Sequence, residues 1–204
     1  MKYTLDTKDT INVEGIILYR IIAAKDFGDV KQHDLGGYIE KEDNLSHVGN
    51  SWVYDNAKVY GNAKVYGNAW VFGYAWVYDN ARVSGNAKVS GNAKVFGHTK
   101  VYDNAKVFDN AKVFGNAWVF ENAKVYRYAE VYGHAGVCEY VKVYDNAEVY
   151  GYAWVYDNAK VFDNAKVYGD AWVFDNAKVF GHAKVYGNAK VCGNTQIRGE
   201  FKCQ

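Results

Sequence analysis

From residue 53 onward the polar and apolar positions of the chain repeat in sixes. A small apolar residue, a polar one, a valine and an aromatic are followed by two turn formers, as in Ala57-Lys58-Val59-Tyr60-Gly61-Asn62. Valine recurs at every sixth position from Val53 to Val191, and Ile197 closes a series of 25 positions without insertion or deletion. Successive side chains of a strand point to opposite sides, so alanine and valine share one side and lysine and the aromatic share the other. Lysine is almost never fully buried unless paired, so the alanine–valine side is predicted to face inward and Tyr60 and its equivalents outward. The Gly61-Asn62 pair and its equivalents are predicted as corners, because both residue types tolerate left-handed backbone. A short fixed period of this kind predicts a solenoid.

Composition sharpens that picture. The 204 residues include no proline and 19 tyrosines. Proline is excluded from the interior of a hydrogen-bonded ladder, and aromatic and β-branched residues favour strands. A net charge of +1 argues against a nucleic-acid partner held by phosphate contacts. No apolar run approaches the length that spans a bilayer, and the opening MKYTLDTKDTINVEG is too mixed and charged for a signal peptide. Cys138, Cys192 and Cys203 form an odd set without a metal-ligand spacing, read as reduced thiols of a cytoplasmic protein with no metal.

The valine followed four places on by alanine (Val59 then Ala63, Val65 then Ala69) resembles the hexapeptide signature of left-handed parallel β-helices, the fold of the trimeric acyltransferases. The resemblance covers residues 37–199. It implies an all-β, single-stranded left-handed parallel β-helix with 18 residues per triangular coil and about eight coils. Strand-crossover rules alone would give the opposite hand. The tryptophans support a coil of three hexads: Trp52 and Trp70 differ by 18, and Trp118, Trp154 and Trp172 differ by multiples of it. Residues 1–36, with TINVEGIILYRIIAA, are expected to form a hairpin-like N-terminal cap turning at Glu14-Gly15, since an uncovered first coil would expose strand edges and apolar core. Residues 200–204 are a short polar tail, either a weak cap or a junction between two rods. The phrase DFGDVKQHDLGGYIEKEDNLSHVGNSWVYDNAKVYGNA also resembles a group of bacterial and prophage proteins with the same cap and hexads. That implies a bacterial or phage source, with a rod serving in a phage particle or binding a host factor.

The acyltransferases of the superfamily use coenzyme A, form trimers, place a histidine between subunits and carry an extra loop or C-terminal helices. Here no loop interrupts residues 53–197, and nothing in the sequence would fold over a pantetheine arm. His98, His134 and His182 occupy the corner slot where asparagine is usual, without an obvious acid to orient them as general bases. His33 and His47 fall in or near the cap. The expectation is a non-catalytic binding or structural module without a cofactor. A coenzyme A-dependent acyltransferase and a self-assembling rod are the alternatives.

Reading the lysine slot at every third hexad gives three columns. One runs Trp52, Trp70, Lys88, Lys106, Lys124, Lys142, Lys160, Lys178, Gln196 (the Lys106 face). A second runs Lys58, Trp76, Lys94, Lys112, Glu130, Glu148, Lys166, Lys184 (the Tyr132 face, after its aromatic). The third runs Lys64, Arg82, Lys100, Trp118, Gly136, Trp154, Trp172, Lys190 (the Trp154 face). Outward aromatics are expected to stack at about 4.8 Å, either as scaffold or as a binding surface. Residues 127–144 are the least regular coil, with Gly136 for lysine, Cys138 for the aromatic, and His134 and Tyr140 for asparagine. The missing side chains are expected to leave an open slot between Trp118 with Phe120 and Trp154 with Tyr156. The rival reading is drift of one repeat copy. The candidate binding residues are therefore Trp118, Phe120, His134, Gly136, Cys138, Trp154, Tyr156 and Trp172, for a protein partner, a second copy or a small planar ligand. Restoring the consensus with Gly136→Lys and Cys138→Tyr is expected to leave the fold intact or more stable.

Overall fold

The computed structural model describes residues 1–202, so Cys203 and Gln204 lie outside the described residues. Apart from one 3-10 turn at Glu42–Asn44, every regular element described is a strand. Along the body each strand is the two-residue lysine-slot and valine pair, such as Lys58–Val59 and Trp154–Val155, except Lys184–Tyr186, which is one residue longer. Each pairs in parallel with the strand three hexads on: Lys58 with Trp76, Trp70 with Lys88, Lys100 with Trp118. Three sheets of 12, nine and eight strands result, so the chain is a parallel β-solenoid with the three faces read from the sequence.

Nine strands stack on the Lys106 face, giving about nine turns rather than eight. The first of these turns has Trp52 on the Lys106 face and residues 37–51, which carry no hexad pattern, on its other two sides. There Tyr38 pairs with Lys58 and Leu45 bridges Val65, each a slightly longer step than three hexads. The regular register begins where Trp52 pairs with Trp70.

Backbone hydrogen bonds run from coil to coil. Lys58 N–H donates to the Ala75 carbonyl at 2.9 Å and Tyr60 N–H to Val77 at 3.1 Å, and the pattern repeats up the rod. Inside, the valines from Val53 to Val191 and the alanines beside them are 0–2 % exposed. Each valine so buried contributes about 1.5–3 kcal/mol. Thr99 takes an alanine slot without leaving its hydroxyl unpaired, donating to the Phe96 carbonyl at 2.9 Å.

The corners divide their work differently from the expectation. Only the first corner residue is left-handed, for example Asp55 at φ 55° and Gly61 at φ 68°; the asparagine that follows is not. Aspartate competes with glycine for this slot because its carboxylate accepts the corner N–H one coil further on, as Asp55 does from Gly73 at 2.9 Å and Asp175 from Gly193 at 2.8 Å. The asparagines instead bond to each other between coils, Asn86 Nδ2 donating to Asn104 Oδ1 at 3.1 Å.

Strands Tyr3–Val13 and Ile16–Ala23 form the N-terminal hairpin, turning through Glu14 and Gly15 at φ 52° and 89°. The hairpin joins the Tyr132-face sheet edge-on, through Leu35–Ile39. It also covers outward positions. Trp52 sits in the outward slot yet is fully buried, edge-on to Phe27 at 5.2 Å and to Tyr3 at 6.1 Å. Lys2 is buried beside it, its Nζ donating to the Ser51 carbonyl at 2.6 Å, and burial pulls its amine down to about 8.

Candidate functional site

Outside the core, the three faces differ in how completely their aromatics stack. On the Tyr132 face eight rings, Tyr60, Tyr78, Phe96, Phe114, Tyr132, Tyr150, Tyr168 and Tyr186, stack in one column at 4.8–5.2 Å. On the Trp154 face the column is cut at Ser84, Cys138 and Cys192, leaving the pairs Tyr102–Phe120 and Tyr156–Phe174, each at 4.9 Å. The ladder rings are partly covered by their neighbours. The most exposed tyrosines, Tyr74, Tyr128, Tyr140 and Tyr152, sit in the asparagine slot at the corners.

The open slot expected at Gly136 and Cys138 is filled. Trp154 lies over Gly136, and a Cβ added there would fall 2.6 Å from its Cε3 and Cζ3 atoms. The cause is the missing ring at position 138. At Trp70, Trp76 and Trp172 the indole meets, edge-on, the aromatic one coil back: Tyr54–Trp70 at 5.6 Å, Tyr60–Trp76 at 6.3 Å and Tyr156–Trp172 at 6.2 Å. For Trp154 that place is Cys138, and the indole instead reaches Phe120, two coils back, at 6.4 Å. Gly136 is buried and Cys138 is only 7 % exposed. Burial first, then the charges of Glu121, Glu139 and Asp157, push the Cys138 thiol up to about 12.

A recess of about 500 Å³ lies instead on the other side of the strand, between the face and the His134 corner, lined by His98, Lys100, Asn116, Trp118, His134, Ala135, Tyr152 and Trp154. His134 stacks on Tyr152 at 4.8 Å and forms one wall with it. Trp118 and Trp154 also line the recess, with the Lys100 ammonium over the Trp118 ring at 4.5 Å. Of the candidate residues, Trp118, His134 and Trp154 line this recess and Gly136 makes room for the Trp154 ring. Phe120, Cys138, Tyr156 and Trp172 do not line it. Sequence reasoning missed Tyr152, although a tyrosine one coil above His134 in an asparagine slot was a visible signal. A larger groove, about 1110 Å³, runs along the Lys106 face, but asparagine and lysine side chains make up nearly all its lining, with Tyr140 its one aromatic.

No carboxylate stands near His98 or His134 as an ion-pair partner among the described residues; the one such histidine pair is His47 with Glu42, at 4.0 Å, in the coil under the cap. A general base on the His134 corner therefore has no acidic orienting partner. Among the described residues no helix is long and apolar enough to cross a membrane.

The YdcK beta solenoid repeat family matches residues 75–91, within the regular part of the coil. The repeat is similar to that family's. Over 42 residues the chain is 43 % identical to the "Uncharacterized acetyltransferase YdcK" of Escherichia coli (strain K12), a stretch covering 21 % of this chain and 13 % of that protein. The chain thus matches well under two thirds of that relative's length.

Proposed function

We propose that this chain is a non-catalytic binding module, a left-handed hexapeptide-type rod of bacterial or phage origin whose recess beside Trp118 and Trp154 accepts a flat group from a partner. The observation that carries the reading is the recess itself: two indoles and a stacked His134–Tyr152 pair line one space of about 500 Å³. Aromatic walls stack planar groups with about 0.5–1.5 kcal/mol beyond area burial. An arginine or aromatic side chain of a protein partner suits such walls, as does a planar small molecule. The same flat faces support pairing with a second copy, and the location that fits this reading is the bacterial cytoplasm or an assembled phage particle. The test is to titrate the chain with planar aromatic fragments and with arginine-bearing peptides, following indole fluorescence. Saturable binding that is lost in Trp118→Ala and Tyr152→Ala supports the reading. Binding that is indifferent to both, or found only on another face, overturns it.

The likeness to a protein named an acetyltransferase favours a second reading, a coenzyme A-dependent acyltransferase working beside His134. Turnover of acetyl-coenzyme A against a panel of amines and alcohols, abolished by His134→Ala, would establish it in place of the first. The fold likeness alone does not carry an activity.

A further inference from the structure

We infer that the corner formed by Glu121, Cys138 and Glu139 binds a divalent metal ion of the zinc class through one thiolate and two carboxylates. The Cys138 Sγ and a carboxylate oxygen from each glutamate lie within 4.8 Å of one another. Glu121 and Cys138 are almost a full coil apart along the chain. The winding brings them together, because position 121 stacks under position 139 on the same corner and Cys138 precedes it.

Two independent features point to a ligand. Cys138 is more than nine-tenths buried at 7 % exposure, no hydrogen-bond partner for its thiol appears among the described residues, and the sulfur faces the two carboxylates. The glutamates themselves are placed selectively. From Asp55 to Gly193 the left-handed corner slot holds glycine, aspartate or Arg127, and glutamate appears at 121 and 139 alone, the two positions beside this cysteine. Cys192, which also replaces a ring, is exposed and followed by Gly193. Aspartate suffices for the structural task of this slot, as Asp157 shows by accepting the Asp175 N–H at 3.1 Å. Glu139 performs that task too, hydrogen-bonding to the backbone and side chain of Asp157, and each glutamate, longer than aspartate by one methylene, also brings a carboxylate oxygen within 4.8 Å of the Cys138 sulfur. The column is acidic over five coils, Asp103, Glu121, Glu139, Asp157 and Asp175. A neighbouring corner answers its aspartates with Arg127, ion-paired to Asp145; this one contains no basic residue in that run.

Tetrahedral zinc, with Zn–S about 2.3 Å and Zn–O about 2.0–2.2 Å, holds its ligand atoms about 3.5 Å apart. Side-chain rotations that move the donor atoms by about 1 Å close all three onto such an ion, and Asp157 or water completes the shell. On binding, the S–H bond breaks, the metal–sulfur bond forms and the proton leaves to solvent. A thiolate among carboxylates selects Zn²⁺, Cd²⁺ and Co²⁺ over Mg²⁺ and Ca²⁺.

The test uses the full chain carrying Cys192→Ser and Cys203→Ser, so that Cys138 is its one thiol. Titration with Cd²⁺ and Co²⁺ is expected to give one equivalent bound, a thiolate-to-metal charge-transfer absorption band and no competition from Mg²⁺. Cys138→Ser is expected to abolish the band. Glu121→Gln with Glu139→Gln, which keeps the thiol and changes only half-buried corner side chains, is expected to weaken binding by about tenfold or more, as losing an inner ligand costs at least what losing an outer one does. No charge-transfer band at one equivalent, or undiminished affinity in the double glutamine variant, overturns the site.

Discussion

The Tyr132 face and the Trp154 face are built from the same hexad in the same register, yet one carries an unbroken column of eight rings and the other only pairs. In a solenoid each outward residue has the same two neighbours, one coil above and one below. A single gap therefore removes two contacts, and the rungs beside it are free to rearrange. On the Tyr132 face nothing is missing, and the charges are also matched: Lys112 pairs with Glu130 at 2.9 Å and Lys166 with Glu148 at 2.7 Å. On the Trp154 face the loss of one ring and one lysine lets an indole turn across a glycine, buries a thiol and leaves a recess. The regular face keeps its ladder whole, and the unusual side-chain arrangements gather where the repeat is broken.

The largest expected effect tests what the two faces share. Val155→Asp on the Trp154 face and Val149→Asp on the Tyr132 face each place an unpaired charge in a core position that is 0 % exposed. Both are expected to cost more than about 4 kcal/mol and to unfold several coils, read as lost circular dichroism and a collapsed melting transition. If either variant melts like the parent, the inside–outside assignment fails for that face.

That assignment was legible in the sequence because it rests on period alone. Alternation fixed which side of each strand is buried, and the spacing in sixes fixed the register of Val119, Val137, Val155 and Val173. Three things were not legible. Trp52 follows the outward pattern, and only the fold of residues 1–34 over it makes it core. The count of coils came out one short, because residues 37–51, though placed within the helix, wind their part of the first coil through Tyr38 and Leu45 without the hexad pattern. The contents of the Gly136 gap depend on where an indole prefers to lie, which is a packing question that a count of missing atoms does not answer. The cluster at Glu121, Cys138 and Glu139 was overlooked for a different reason. Local spacing rules look for ligands close together in the chain, whereas in this fold neighbours in space are separated by about a full coil of sequence.

The second prediction sharpens the contrast at the gap. Gly136→Lys with Cys138→Tyr restores the consensus but collides with the Trp154 ring, and so is expected to destabilise the rod by about 1–3 kcal/mol instead of leaving it unchanged. Adding Trp154→Lys to the pair removes the collision and is expected to return the melting temperature toward the parent's. A double variant as stable as the parent would show that Trp154 is not held over Gly136.

The third prediction compares the ladders directly. Phe114 stacks on Phe96 at 5.0 Å and on Tyr132 at 4.8 Å, whereas Tyr102 stacks on Phe120 alone, at 4.9 Å. With each aromatic pair worth about 0.5–1.5 kcal/mol, Phe114→Ser is expected to cost about 1–3 kcal/mol and Tyr102→Ser about half as much. Chemical denaturation would read the two. Equal losses would mean that stacking between coils adds nothing to area burial.

The smallest expected effect is a pH dependence, and it also separates the faces. Burial first, then the hydrogen bond and charge of Glu148, raise the Tyr132 phenol well above its ordinary value of 10.0; its hydroxyl donates to Glu148 Oε2 at 2.9 Å. Tyr102 on the broken face is raised less, by burial and the charge of Asp103. An unfolded tyrosine loses its proton near pH 10 while the folded one keeps it, so above that pH the folded state binds more protons and stability falls as pH rises. This contribution is fully present below pH 10 and is lost above it. At neutral pH Tyr132→Phe is expected to cost about 0.5–1.5 kcal/mol for the hydrogen bond. Between pH 10 and 11.5 the difference from the parent is expected to shrink, because the phenylalanine variant lacks the titrating group and loses less. For Tyr102→Phe the same narrowing is expected to be smaller. Denaturation curves collected from pH 8 to 11.5 would decide it, and a gap that widens with pH at Tyr132 would mean that its phenol ionises more readily in the folded ladder than in the unfolded chain.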